Sequence, residues 1–199
     1  MLTTKSLKSL AIVLGALGLL ETVFASPADA KSPAREEKPP RIASASAIVV
    51  SVPVGQVLFE KDPDEVRPIA SLSKLMSAIV FMEQCKHVDL DALHQMSPEN
   101  RFMAKGGDKS RLTTNWSYSN RDLLKAALMR SDNRAMPALM ESCGMILQVF
   151  AMHMNRKADE LGLKNTSFTE PNGLSKYNVS TARDYTKVMI EASRFEVLN

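Results

Sequence analysis

Apolar residues recur along this chain with two periods. Ala47-Ile48-Val49-Val50-Ser51-Val52 is a β-branched run, and Val57-Leu58-Phe59-Glu60 is a second run beyond Pro53-Val54-Gly55. Two such runs joined by a turn triplet predict a β-hairpin, which Lys61-Asp62-Pro63-Asp64 brings to an end. Downstream the spacing changes to three and four. Leu72, Leu75, Met76, Ile79 and Val80 predict a helix that starts near Ser71, shortly after Pro68, and runs to about Gln84. His87 to Leu112 is mostly polar, contains Pro98, Gly106 and Gly107, and reads as an irregular excursion.

The second half of the chain reads as helical. Ser119-Asn120-Arg121-Asp122 has the form of a capping box, opening a helix through Leu123, Leu124, Ala127 and Leu128 that halts at Arg130-Ser131-Asp132-Asn133. A further helix follows, with Pro137 in its first turn and Gly144 at its end. Ile146, Val149, Phe150, Met154 and Leu161 predict a longer one stopped at Gly162, and the methionines on these faces read as core packing. Ser167 to Leu174 carries strong turn signals, and Thr181-Ala182-Arg183-Asp184 caps a last helix through Tyr185, Val188, Met189 and Ala192. Strands followed by several helices, with no internal repeat, predict an α+β fold of the α/β sandwich type.

The N-terminal segment has a different character. Lys5 and Lys8 precede an apolar run from Leu10 to Leu20, and two small-residue exits follow, Val23-Phe24-Ala25 and Ala28-Asp29-Ala30. This is the form of a secretory signal peptide over residues 1–30, cleaved after Ala25 or Ala30, with an apolar run short for a bilayer span. Residues 31–42, rich in proline and charge, read as a linker, and the domain is expected over 43–199. The expected location is therefore outside the cytoplasm, in the periplasm.

Composition narrows the remaining classes. The 199 residues are 45% hydrophobic and 24% charged, ordinary for a globular protein, so a real core is affordable in one domain or part of one. The net charge is +3, but no Lys/Arg run with interleaved aromatics appears, which argues against nucleic acid as a partner. Nothing in the sequence supports a peripheral membrane contact. His87, His94 and His153 form no metal-ligand spacing, so no metal or other cofactor is expected. Cys85 and Cys143 lie outside any C-x-x-C pattern and follow apolar helical segments, leaving a disulfide and two buried thiols both open. Neither composition nor pattern speaks to oligomeric state.

The candidate chemistry lies at the start of the first helix. Ser71 and Lys74, at i and i+3, share a helix face and place a nucleophile beside a base. A lysine of ordinary pKa, about 10.4, is charged at neutral pH, and freeing its amine costs roughly 4 to 5 kcal/mol. Burial and the positive end of the helix dipole both lower that cost. S-x-x-K is expected about once by chance in a chain of this make-up, yet this instance falls at a helix start. Ser131-Asp132-Asn133 lies between two helices. Such a corner either presents a hydroxyl and an amide to a cleft or caps the next helix.

S-x-x-K followed by S-D-N resembles the motif set of penicillin-binding proteins and β-lactamases, whose third member is K-T-G. The phrase Val66-Arg67-Pro68-Ile69-Ala70-Ser71-Leu72-Ser73-Lys74-Leu75-Met76 sharpens the resemblance. So do Ser110-Arg111-Leu112, the run from Leu123 to Asn133, Phe168-x-x-Pro171-x-Gly173-Leu174 and Asn178-x-Ser180-Thr181-Ala182-x-Asp184. Together they resemble the low-molecular-mass serine D-alanyl-D-alanine carboxypeptidases and endopeptidases, from about Ala43 to Asn199. The resemblance implies a β-lactamase/transpeptidase-like fold, an antiparallel sheet with helices. It implies Ser71 as acylated nucleophile, Lys74 as its general base, Ser131 as proton relay to the leaving amine and Asn133 as a substrate-binding amide that steadies Lys74. The Ser71 N–H would supply half of an oxyanion hole. Peptidoglycan stem peptides or cross-links would be the substrates, and β-lactams their mimics.

One departure stands out. No K-T-G, K-S-G or H-T-G triplet occurs in the sequence; the nearest, Lys105-Gly106-Gly107, precedes Ser131. The resemblance places that motif on a strand after the last helix, so the expectation is that the C-terminal strands are missing, through truncation or in a remnant. The alternative reading is a non-catalytic peptidoglycan- or penicillin-binding module. A third reading, a β-lactamase with Glu170 as deacylating base, lacks the R-x-E-x-x-L-N context.

Overall fold

The computed structural model describes residues 40–52, 54–104 and 110–198. The predicted signal peptide with both cleavage positions, most of the 31–42 linker and the Lys105-Gly106-Gly107 triplet lie outside these residues. In chain order the elements are β1 (Ala47–Ser51), β2 (Gln56–Lys61), β3 (Arg67–Pro68), α1 (Ser73–Gln84), β4 (Leu93–Gln95), α2 (Pro98–Met103), β5 (Ser117–Ser119), α3 (Asn120–Arg130), α4 (Ala135–Ser142), α5 (Leu147–Glu160), β6 (Val179–Ser180) and α6 (Ala182–Ala192). Tight 3-10 turns occupy Ala70–Leu72 and Glu196–Leu198.

The expected hairpin forms. β1 and β2 pair antiparallel, and the turn closes on Gly55, whose φ of 67° is open to glycine at little cost and whose N–H donates to Ser51 O at 2.7 Å. The single antiparallel sheet of the expectation appears among the described residues as three two-stranded ladders, β1-β2, β3-β6 and β4-β5. β3 lies between the hairpin and α1, so the hairpin does not feed directly into the helix. Helices with antiparallel ladders make an α+β fold, as the sequence pattern predicts.

α1 is the axis of the core. Met76, Ala78, Ile79, Val80 and Phe81 are buried, as are the polar Ser73, Lys74 and Ser77 on the same helix. A helix covered on nearly every side must be surrounded, and α3, α4, α5 and α6 all contact it. The methionine reading is half right: Met76, Met96, Met136 and Met154 are fully buried, whereas Met129, Met152 and Met189 are exposed. Near the far end of α1, Lys157 of α5 reaches Glu83 of α1 at 2.5 Å and Glu191 of α6 at 3.1 Å. Burial pulls the Lys157 amine down, and its hydrogen bonds to the two carboxylates overcome this and hold it above the ordinary lysine value.

Two expectations need correction. α1 begins at Ser73 rather than Ser71, because Ala70 has a φ of 46°, outside the right-handed helix, and the chain passes through the 3-10 turn first. The stretch from His87 to Leu112 is not simply irregular. Pro98 occupies the first position of α2 with Glu99 beside it, and β4 pairs with β5 across a long connection. A three-residue strand is too short to show an alternation in sequence.

The cysteines pair. Cys85, just after α1, is bonded to Cys143 at the end of α4, with Cα atoms 5.5 Å apart and a sequence separation of 58. An apolar groove lined by Ile48, Val49, Val50, Val52, Met189 and Ile190 runs between β1 and α6. Val49, Val57 and Leu58 of the hairpin are exposed.

Closing a loop of this length restricts the unfolded chain by about 4 kcal/mol in the chain-entropy model, and measured values fall at or below that. Substituting both cysteines (Cys85→Ser with Cys143→Ser) is therefore expected to lower the unfolding free energy by about 2–4 kcal/mol. Urea unfolding followed by circular dichroism measures it, and added reductant should leave the double variant unchanged.

Candidate active site

Ser71 and Lys74 remain neighbours although Ser71 lies on the 3-10 turn rather than on α1. Lys74 Nζ is 3.2 Å from Ser71 Oγ. Ser71 is exposed, whereas Lys74 is only 2% exposed, so the hydroxyl faces outward and the amine sits beneath it. The turn is held from the side by Tyr185 of α6, whose hydroxyl donates to Leu72 O, and Ile69 N–H donates to Asn178 O at 3.0 Å.

The Ser131 corner closes over this pair. Ser131 ends α3 in the left-handed region at φ 56°. Its hydroxyl donates to Ser71 Oγ at 2.6 Å. It does not cap α4, whose first residue follows Arg134 without a side-chain cap. Asp132 shapes the corner instead, accepting from Arg134 N–H at 2.9 Å and from Ser110 Oγ at 2.7 Å. Asn133 turns inward, and its Oδ1 accepts from Lys74 Nζ at 2.7 Å. All four side chains expected from sequence, Ser71, Lys74, Ser131 and Asn133, are thus brought together.

A third segment completes the surroundings of the amine, and Asn172 within it carries no signal of its own in the sequence. Asn172 O accepts from Lys74 Nζ at 2.8 Å, and Asn172 Nδ2 donates to Asn133 O at 3.0 Å. Pro171 O accepts from Ser77 Oγ of α1 at 2.8 Å. Asn178 ties this segment together: its Nδ2 donates to Ser73 Oγ at 2.9 Å and Glu170 O at 2.7 Å, while its Oδ1 accepts from Thr169 N–H at 2.8 Å. The Glu170 carboxylate accepts from the N–H groups of Asn172 and Ser175, at 2.7 and 3.2 Å, and so serves its own turn. The Pro171-Asn172-Gly173 turn and the Asn178 phrase were visible as motifs, but their long-range partners were not.

Burial is what tunes the site. It lowers the Lys74 pKa to about 8, against the opposing influence of the Glu170 and Asp132 carboxylates. At neutral pH roughly a tenth of such amines are neutral, and freeing the amine costs about 1.4 kcal/mol instead of 4 to 5. A neutral amine beside a hydroxyl can take its proton, and the second hydroxyl at Ser131 can pass one onward. The three groups open onto a cleft of about 560 Å³ lined by Ile69, Ser71, Leu75, Ala127, Ser131 and Tyr185. Among the described residues no cluster of three or more His, Cys, Asp or Glu side chains is placed to hold a metal ion.

Two hydroxyls and a buried amine thus lie within hydrogen-bond reach of one another on an α+β scaffold. Residues 33–198 match the family model described as D-alanyl-D-alanine carboxypeptidase, peptidase family S11, and the chain belongs to that family. It is 40% identical over 183 residues to a D-alanyl-D-alanine endopeptidase of Escherichia coli K12, covering 90% of this chain and 57% of the relative. To the D-alanyl-D-alanine endopeptidase of Pseudomonas aeruginosa it is 38% identical over 194 residues, covering 97% and 60%. Among solved structures, the Streptomyces K15 DD-transpeptidase superimposes with a TM-score of 0.75 at 26% identity, over 81% of this chain and 64% of that one. A D-alanyl-D-alanine carboxypeptidase from Mycobacterium tuberculosis H37Rv gives 0.72 at 28% identity, over 83% and 62%. The chain spans about three fifths of the length of these relatives.

The buried amine makes stability depend on pH in a defined direction. The folded-state pKa is about 8 and the ordinary lysine value 10.5, so between them the unfolded chain binds more protons. Below pH 8 the folded state carries the full penalty of a buried ammonium; as the pH rises to about 10.5 that penalty is relieved and stability climbs by about 2–3 kcal/mol. Urea midpoints measured across this range should show the rise in the unsubstituted chain and its loss in Lys74→Met.

Proposed function

We propose that this chain carries the nucleophile and base of a serine D-alanyl-D-alanine peptidase, working through an acyl-enzyme on Ser71. The observation that carries the reading is the double contact on Ser71 Oγ, with Lys74 Nζ at 3.2 Å and Ser131 Oγ at 2.6 Å. Lys74 accepts the Ser71 proton as the oxygen attacks the carbonyl carbon of a D-alanyl peptide bond. The C–N bond then breaks, the departing amine takes a proton through Ser131, and the acyl group stays on Ser71. Water, deprotonated by the same route in reverse, releases the acid and restores the serine. Asn133 bonds the substrate peptide while holding Lys74, and the Ser71 N–H stabilises the developing oxyanion, where a single donor is worth about 3–4 kcal/mol.

The substrate class is a peptidoglycan stem peptide or its cross-link, and β-lactams are acylating mimics. The relatives at 40% and 38% identity are named endopeptidases, and those at 31% and below are named carboxypeptidases, which favours the cross-link. The N-terminal signal form supports export, with cleavage after Ala25 or Ala30 and 43–199 acting in the periplasm on cell-wall organisation and cell shape.

A fluorescent penicillin followed by tryptic mass spectrometry tests this. The adduct is expected on the peptide containing Ser71 and absent from Ser71→Ala, and Ser131→Ala should slow labelling by about 100- to 10,000-fold. No adduct at saturating penicillin on the folded, unsubstituted chain overturns the proposal.

A further inference from the structure

The amine of Lys74 has one neighbour more than a neutral amine has N–H groups. Neutral, it offers two N–H donors and a lone pair. Two of its neighbours, Asn133 Oδ1 at 2.7 Å and Asn172 O at 2.8 Å, can only accept, and the third, Ser71 Oγ at 3.2 Å, can donate. Both N–H groups are therefore committed, and the lone pair is left pointing at the Ser71 hydroxyl. Remove either acceptor and one N–H is free to turn toward Ser71 Oγ, where it blocks the proton transfer.

Asn172 governs both acceptors at once. It supplies one from its backbone, and its Nδ2 bonds the backbone oxygen of Asn133, which supplies the other. Its own N–H is fixed on Glu170 Oε2 at 2.7 Å, and the residue is 1% exposed. Gly173 acts on the other reacting group. Its φ is 78°, and a Cβ built there would lie 1.7 Å from Ala70 O and 2.9 Å from Ser71 N. Its bare Cα thus backs the peptide that joins Ala70 to Ser71, in a bend where Ala70 is itself left-handed. The carboxylates facing Lys74 are Glu170, from the same turn, and Asp132, from the corner between α3 and α4.

We propose that Asn172 and Gly173 are positioning residues: their turn aims the Lys74 lone pair at Ser71 and holds the Ser71 peptide in its bend. This rests on Ser71 being the nucleophile. Neither residue touches the reacting atoms with its side chain, and the effect passes through Asn133, Lys74 and Ala70.

The test compares the full chain with Asn172→Ala, which removes the bond to Asn133, and Asn172→Asp, which sets an acceptor against that carbonyl. Three quantities are read: the second-order rate of penicillin labelling from pH 6 to 10, the labelled fraction at saturation, and the titration of Lys74 followed by NMR with 13C at lysine Cε. The expected result is full labelling at saturation with a rate about 10- to 100-fold lower, more so for Asp than for Ala. The loss should persist above pH 9, where the amine is neutral in nearly every molecule, because orientation and not protonation is impaired. The Lys74 titration should move from its value in the unsubstituted chain. A rate and a titration unchanged in Asn172→Ala overturn the proposal, as does a fall in labelled fraction with an unchanged rate per labelled molecule. If the unsubstituted chain takes no penicillin, the acylation reading fails separately. The Lys74 titration alone then decides whether Asn172 holds the amine. Gly173→Ala is expected to abolish labelling; a folded Gly173→Ala chain that labels at the unsubstituted rate removes Gly173 from the proposal.

Discussion

A lysine amine withdrawn from water is the constraint on which the arrangement of this molecule turns. Burying an ammonium without partners costs far more than a small domain can offset, so Lys74 requires acceptors from wherever the chain can supply them. They come from three separate places: the 3-10 turn before α1, the corner between α3 and α4, and the Glu170–Gly173 turn. Each of these is polar and irregular, and none has an apolar reason to meet the others. The amine and the hydrogen bonds around it give them one. That the same burial lowers the Lys74 pKa to about 8 is a by-product of packing that suits the proposed proton transfer.

Strain is placed where that demand is greatest. Ala70 and Ser131 both have positive φ, a conformation costing a residue with a Cβ roughly 1–2 kcal/mol, and they stand on either side of the Ser71 hydroxyl. Such bends persist because the helices behind them are held firmly. The far end of α1 is clamped twice, by the Cys85–Cys143 bond to α4 and by Lys157 between Glu83 and Glu191. α4, which the disulfide ties to α1, leads back to Asn133 at its other end. The helix pair is thus a rigid frame, joined covalently at one end and by hydrogen bonds at the site.

The local parts of this structure were legible in sequence, and the long-range parts were legible only through motifs. Gln84, Arg130 and Glu160 end helices within a residue or so of where spacing and turn signals put them, because those boundaries depend on neighbours in sequence. Ser119 and Thr181 cap their helices as read, each accepting from the aspartate N–H three residues on. β4 is not legible in sequence, since its partner β5 lies beyond a long connection and its three residues carry no period. Two cysteines fix no distance between them, so the sequence alone leaves their pairing open. In the site, Ser71, Lys74, Ser131 and Asn133 were found by their spacing and by resemblance to a known family. Asn172 is not legible there, because it acts through a backbone oxygen, an atom every residue has, and through a side-chain bond to Asn133, 39 positions away in sequence.

The hairpin has a consequence of its own. Among the described residues no further strand pairs with β1 or β2, Val57 and Leu58 of the hairpin are exposed, and Val49 lines the trough along α6. Open rungs next to an oily trough invite strand addition from any neighbouring molecule. The groove beside the hairpin and the cleft at Ser71 share no lining residue, so whatever covers the one leaves the other open.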